Sequence, residues 1–98
     1  MAKKESNAPF FNARQNVLDN LDAIRQALVL CIAEGMIDSD AELYNETISL
    51  IQEIDVVEDW NELEEMIMEA KALEKDTAVW FSMEGRTSIS LPWPKRPE

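Results

Sequence analysis

The sequence predicts an all-α protein, an antiparallel three-helix bundle with an extended C-terminal tail folded over it. Glycine occurs only twice in 98 residues. Both, Gly35 and Gly85, stand where a helix could end, which leaves few of the turns that a many-stranded sheet needs. Apolar residues recur at three- and four-residue spacing along three stretches. Each stretch opens with Asn, Ser or Asp, followed three residues later by Gln or Glu, the reciprocal pattern of a helix start.

The first helix is expected from Asn12, with Gln15 as its capping partner. Val17, Leu21, Ile24, Leu28 and Cys31 then form one apolar stripe, and Gly35 ends it in a left-handed C-terminal conformation. The second is expected from Ser39 with Glu42, burying Leu43, Thr47, Leu50, Ile54 and Val57. The third is expected from Asp59 with Glu62, through Leu63, Met66, Ile67, Ala70, Leu73, Thr77 and Trp80 to Gly85. The joints at 35–38 and about 57–59 are too short for crossovers, so sequential helices should run antiparallel. The expected organisation is a flexible N-terminal segment over 1–11, a bundle over 12–85 and a Pro-rich tail over 86–98. Phe10 and Phe11 stand just before the cap, placed to fold back on the bundle.

The tail abandons the helical period. Thr87, Ile89, Leu91 and Trp93 alternate with Ser88, Ser90 and Pro92, and prolines at 92, 94 and 97 enforce an extended chain. Residues 27–33, "ALVLCIA", are apolar for almost two turns, and a helix apolar all round should be covered all round. The tail is therefore expected to lie over the bundle with Trp93 anchored against it. A homodimer joined through the same stripe is the competing expectation.

Composition excludes several chemistries. The chain has no histidine and one cysteine, so Ser/His and Cys/His nucleophile pairs and ordinary zinc sites cannot be built from it. No enzymatic activity and no cofactor is expected. The single Cys31 allows no intramolecular disulfide, which suits a reducing, cytoplasmic setting. No apolar run approaches the ~20 residues that span a bilayer, and "MAKKESNAP" lacks the apolar stretch of a secretory signal.

Charge supplies the functional expectation. The net charge is −11, and Glu34 to Asp76 carries 15 acidic residues against two basic ones. Direct contact with nucleic acid or an anionic membrane is thereby disfavoured. Glu58, Glu62, Glu65 and Glu69 recur at 4-3-4 spacing and share a helical face, with Glu46 and Glu53 beside them on the second helix. These six residues are the expected binding surface for a protein with a basic surface, as in a regulator, adaptor or inhibitor. Mimicry of a nucleic-acid backbone towards a DNA- or RNA-binding protein is an alternative. A second alternative is calcium binding by Asp38, Asp40, Glu42 and Glu46 within "DSDAELYNE". There Leu43 stands where a calcium loop needs Gly, and Ser49 where it needs a bidentate Glu. A helix start explains the stretch better. Met36, Met66, Met68, Met83, Trp60, Trp80 and Phe81 are expected in the core rather than in an adaptable groove.

Overall fold

A computed structural model describes the backbone of residues 3–35, 37–38, 41–83 and 91–96, and the side chains of 9–35, 37–38, 41–79 and 91–96. Three α-helices follow one another: α1 (Lys3–Ala33), α2 (Glu42–Glu53) and α3 (Trp60–Met83), with a 3-10 turn at Ile54–Val56 closing α2. The bundle expected from the sequence is the fold. Phe10 and Trp60 meet edge-on at 5.8 Å, so the early turns of α1 and of α3 lie at the same end. Helices α1 and α3 therefore run parallel, with α2 antiparallel between them.

Helix α1 starts nine residues before Asn12, at Lys3, and contains Pro9. Proline offers no N–H to the carbonyl four residues back, and in a helix interior this costs about 3 kcal/mol. Burial of Phe10 and Ala13 opposes that cost, extending the apolar stripe upstream of Val17. Asn12 is then an exposed helical residue, and Gln15 donates to Asp19 at 2.9 Å instead of closing a cap. At the other end the expectation holds. Gly35 has φ +77°, and its N–H reaches the Ile32 carbonyl at 3.0 Å, one of the two bonds of a Schellman closure.

The start of α2 also differs from its expected place. The residue in the N-cap position is Ala41 (φ −59°, ψ 142°), with no side-chain cap. Among the described residues the chain enters by backbone bonds, Ala41 N–H to Asp38 O at 3.0 Å and Asn45 N–H to Ala41 O at 3.1 Å. Ser39 and Asp40 lie outside the described residues. Helix α3 begins as its sequence reads: Asp59 Oδ1 accepts from the Glu62 N–H at 2.8 Å, and Glu62 Oε1 accepts from the Glu58 N–H at 3.0 Å. Gly85 lies outside the described residues.

Val17, Leu21, Ile24, Leu28, Ile54 and Leu63 form the fully buried centre, and Met66, Ile67, Ala70 and Leu73 line α3 against it. Cys31 is buried as expected. Thr47 and Thr77 are buried too. Their hydroxyls donate to the carbonyls of Leu43 (2.9 Å) and Leu73 (2.7 Å), satisfying the polar group within its own helix. Met66 joins the core and Trp60 packs at its edge, but Met68 is 72% exposed, against expectation. Its position faces away from the Leu63–Met66–Ala70 stripe. The side chains of Met36, Trp80, Phe81 and Met83 lie outside the described residues.

Residues 91–96 of the tail fold over the bundle, and 86–90, with Thr87 and Ile89, and 97–98 lie outside the described residues. Leu91 and Trp93 pack against the core cluster, and residues 91–96 lie along α1 and α3. Its place differs from the one expected, because Val29 and Leu30 remain 41% and 45% exposed. Ala27, Leu28 and Cys31 are buried, while residues 91–96 dock nearer the middle of α1, at Asn20.

Candidate functional site

Between the end of α2 and the first turns of α3 runs a groove of about 210 Å³, lined by Glu53, Val56, Val57, Glu62, Glu65, Met66 and Glu69. Two features of the sequence build it. The 3-10 turn tightens the chain after Glu53 and sets Val56 facing outward, 71% exposed. The capped start of α3 then places Glu62, Glu65 and Glu69 at 3-4 spacing, within the roughly 100° arc of one helical flank. Val57 and Met66 are buried and form the apolar floor. The result is an apolar strip with carboxylates on both sides.

Of the six acidic residues expected from the sequence, the groove unites four: Glu53, Glu62, Glu65 and Glu69. Glu58 is exposed just before α3, and its backbone N–H is engaged by the Glu62 carboxylate. Glu46 is exposed on the same stripe of α2 as Glu53, two turns nearer the N-terminus, and does not line the groove. Glu62 has a structural task as well as a charge. Among the described residues, Glu53, Glu65 and Glu69 make no hydrogen bond or ion pair, so their charges face solvent. Like charges at this spacing cost a few tenths of a kcal/mol per pair in an isolated helix.

The calcium-like stretch is arranged differently. Asp38, Glu42 and Glu46 are exposed, Asp38 before the helix and Glu46 one turn after Glu42. Asp40 lies outside the described residues. Among the described residues no group of three or more acidic or thiol side chains is placed to hold a metal ion, and no helix is long and apolar enough to cross a membrane.

A second polar constellation was not anticipated from the sequence. The Glu74 carboxylate accepts from the Leu91 N–H at 2.6 Å and from the Trp93 indole N–H at 3.1 Å. Asn20, 5% exposed on α1, donates to the Pro92 carbonyl between them. Arg96 then meets Asn61 Oδ1 at 2.7 Å and Glu64 at 3.4 Å. Asn20 was visible as an amide inside the Val17–Leu21–Ile24 stripe. Glu74 carried no signal, being one more charge on an acidic helix.

Elsewhere, Arg14 lies over the rings of Phe10 and Phe11, at 5.9 and 5.3 Å, and donates to the Val57 carbonyl at 3.0 Å. It thus ties α1 to the turn that shapes the acidic groove. Asp22 accepts hydrogen bonds from Arg25 and Gln26, and these, with the Arg25 charge, hold its carboxyl below the usual aspartate value. No protein-family model, curated protein or solved structure matches this chain.

Proposed function

We propose that this protein binds another protein through the acidic groove between α2 and α3, acting as a regulator, adaptor or inhibitor of a partner with a basic surface. The observation that carries the reading is the pairing of carboxylates at Glu53, Glu65 and Glu69, uncompensated among the described residues, with an apolar strip at Val56, Val57 and Met66. Charge alone would suit a solvated face. An exposed valine between carboxylates suits a segment presenting one apolar side chain flanked by Lys or Arg, because the charges steer approach and the apolar contact slows release.

The test is affinity capture from the native host at low and then high salt, comparing the wild type with a Glu53→Gln, Glu65→Gln, Glu69→Gln variant. Glu62 is left intact because it caps α3. A partner of this kind should be recovered by the wild type below roughly 0.1 M salt, where the screening length is about 10 Å or more. It should be lost from the variant. The variant should also fold at least as stably as the wild type, since it relieves like-charge repulsion. Equal recovery of the same partner by both proteins would refute this use of the groove.

A further inference from the structure

We propose that the cleft between α1 and α3 is a binding site for an extended Leu-Pro-Trp-Pro-type peptide of a partner protein, occupied in the free chain by its own residues 91–96 as a tethered ligand. This is independent of the acidic groove, which uses the other flank of α3.

Beside the packing of Leu91 and Trp93 on the core cluster, the segment makes polar contacts of the kind that read a peptide backbone. One carboxylate, Glu74, reads a backbone N–H and an indole N–H two residues apart. One buried amide, Asn20, reads the carbonyl between them. Two acceptors a few turns away, Asn61 and Glu64, read a guanidinium three residues further on. Together they specify an extended strand with a Trp and, three residues on, an Arg. Such a strand is held in a polyproline-like form with no internal hydrogen bonds, so its backbone is free to be read.

Of these contacts, that of Asn20 is the most telling. Asn20 is almost wholly buried in the apolar stripe of α1, and its amide finds its hydrogen bond on the tail. A strap needing only apolar cover would be served by a leucine there. A buried amide instead demands a particular carbonyl, and leaving it unpaired is costly. The occupant itself is only partly buried: Pro92 is exposed, and Leu91 and Trp93 are half-buried. A tethered segment acts at an effective concentration of about a millimolar. A partner segment of the same chemistry can displace it once its own local concentration or affinity exceeds that.

The probe is the acetylated, amidated hexapeptide with the sequence of residues 91–96, added without label to the ¹⁵N-labelled full chain. As the peptide rises through roughly millimolar concentration, the labelled Trp93 indole N–H signal should move from its docked position to that of a free tryptophan. The Leu91 amide should follow, while the Glu62 amide at the α3 cap should stay fixed. In a full-length Trp93→Ala variant the tethered competitor is weakened, so the peptide should bind about tenfold or more tighter than to the wild type. Adding Glu74→Gln should undo that gain, because an amide presents one acceptor where the carboxylate presents two. A hexapeptide with Ala in place of Trp should fail in both proteins. The proposal is overturned if several millimolar peptide leaves the wild-type Trp93 and Leu91 signals unmoved, whatever the behaviour of the variants. It is equally overturned if the Ala-containing peptide displaces the tail as well as the Trp-containing one does.

Discussion

Placing a serine at position 41 should stabilise the protein, although no natural contact is there to be improved. Ala41 already has the backbone of an N-cap, φ −59° and ψ 142°, and its carbonyl already accepts the first helical bond from Asn45 at 3.1 Å. Among the described residues no side-chain oxygen meets the N–H groups of Leu43 or Tyr44, which the first turn of a helix leaves without a backbone partner. Replacing a capping Ser by Ala typically costs ~1 kcal/mol, so the reverse change should return a similar amount. Ala41 is half-buried, and desolvating the new hydroxyl takes back a part, leaving about 0.5–1 kcal/mol. For a domain of this size that raises the melting temperature by about 2–8 °C. Thermal and urea unfolding followed by circular dichroism would measure it. Asp59→Ala supplies the calibration, since its cap is formed at 2.8 Å and its loss should cost about 0.5–2 kcal/mol. Ser39→Ala should change stability little if Ala41 is the cap. The reasoning fails if Ala41→Ser is neutral or destabilising while Ser39→Ala carries the full cost of a lost cap, because α2 would then begin where the capping pattern alone put it.

Two leucines of α1 should respond very differently to truncation. Leu21→Ala, at a fully buried position, should cost about 2–5 kcal/mol in urea unfolding, whereas Leu30→Ala, at a position 45% exposed, should cost less than about 1 kcal/mol. Equal losses would mean that the outward face of the last turns is covered. Asp22, whose carboxyl is held below its ordinary value of 3.8 by Arg25 and Gln26, contributes stability that is present above that value and lost as pH falls through its lower folded value. The effect is small because the side chain is 45% exposed. An NMR titration of the Asp22 carboxyl should show a midpoint below 3.8, and Asp22→Asn should flatten that part of the acid limb; a midpoint at or above 3.8 would contradict the geometry.

The fold was legible where burial and capping agree. At the start of α3 the capping residues, the apolar stripe and the short joint all specify the same boundary, and Asp59 and Glu62 take up the bonds their spacing implies. At the starts of α1 and α2 they disagree. Asn12 reads as a cap, but Phe10 and Ala13 upstream continue the buried stripe, and apolar burial extends the helix through a proline. Ser39 reads as a cap, but the chain turns into α2 two residues later, at an alanine. Local hydrogen-bonding pattern is worth about 1 kcal/mol at such a site, less than the burial of one aromatic ring. The candidate site was legible to the same extent. Helical spacing gave Glu62, Glu65 and Glu69 a common flank. The apolar floor between them and Glu53 arises from the 3-10 turn, which no periodicity in the sequence marks.

Helix α3 therefore carries two kinds of carboxylate, and the difference bears on how charge is used. Glu62 and Glu74 are committed within the chain, one to the helix start and the other to the tail. Their hydrogen bonds fix them, and their loss would be felt as lost structure. Glu65 and Glu69, with Glu53 across the groove, are engaged by nothing among the described residues and lie near one another beside exposed Val56. A chain selected only for solubility could spread such charges around the helix, where their repulsion would be least. Concentrating them on the flank that faces α2 keeps the repulsion and adds no internal contact. Among the described residues no positive charge offsets that repulsion, so neutralising these three carboxylates should leave the fold at least as stable, and under the proposed function it should abolish capture of the partner.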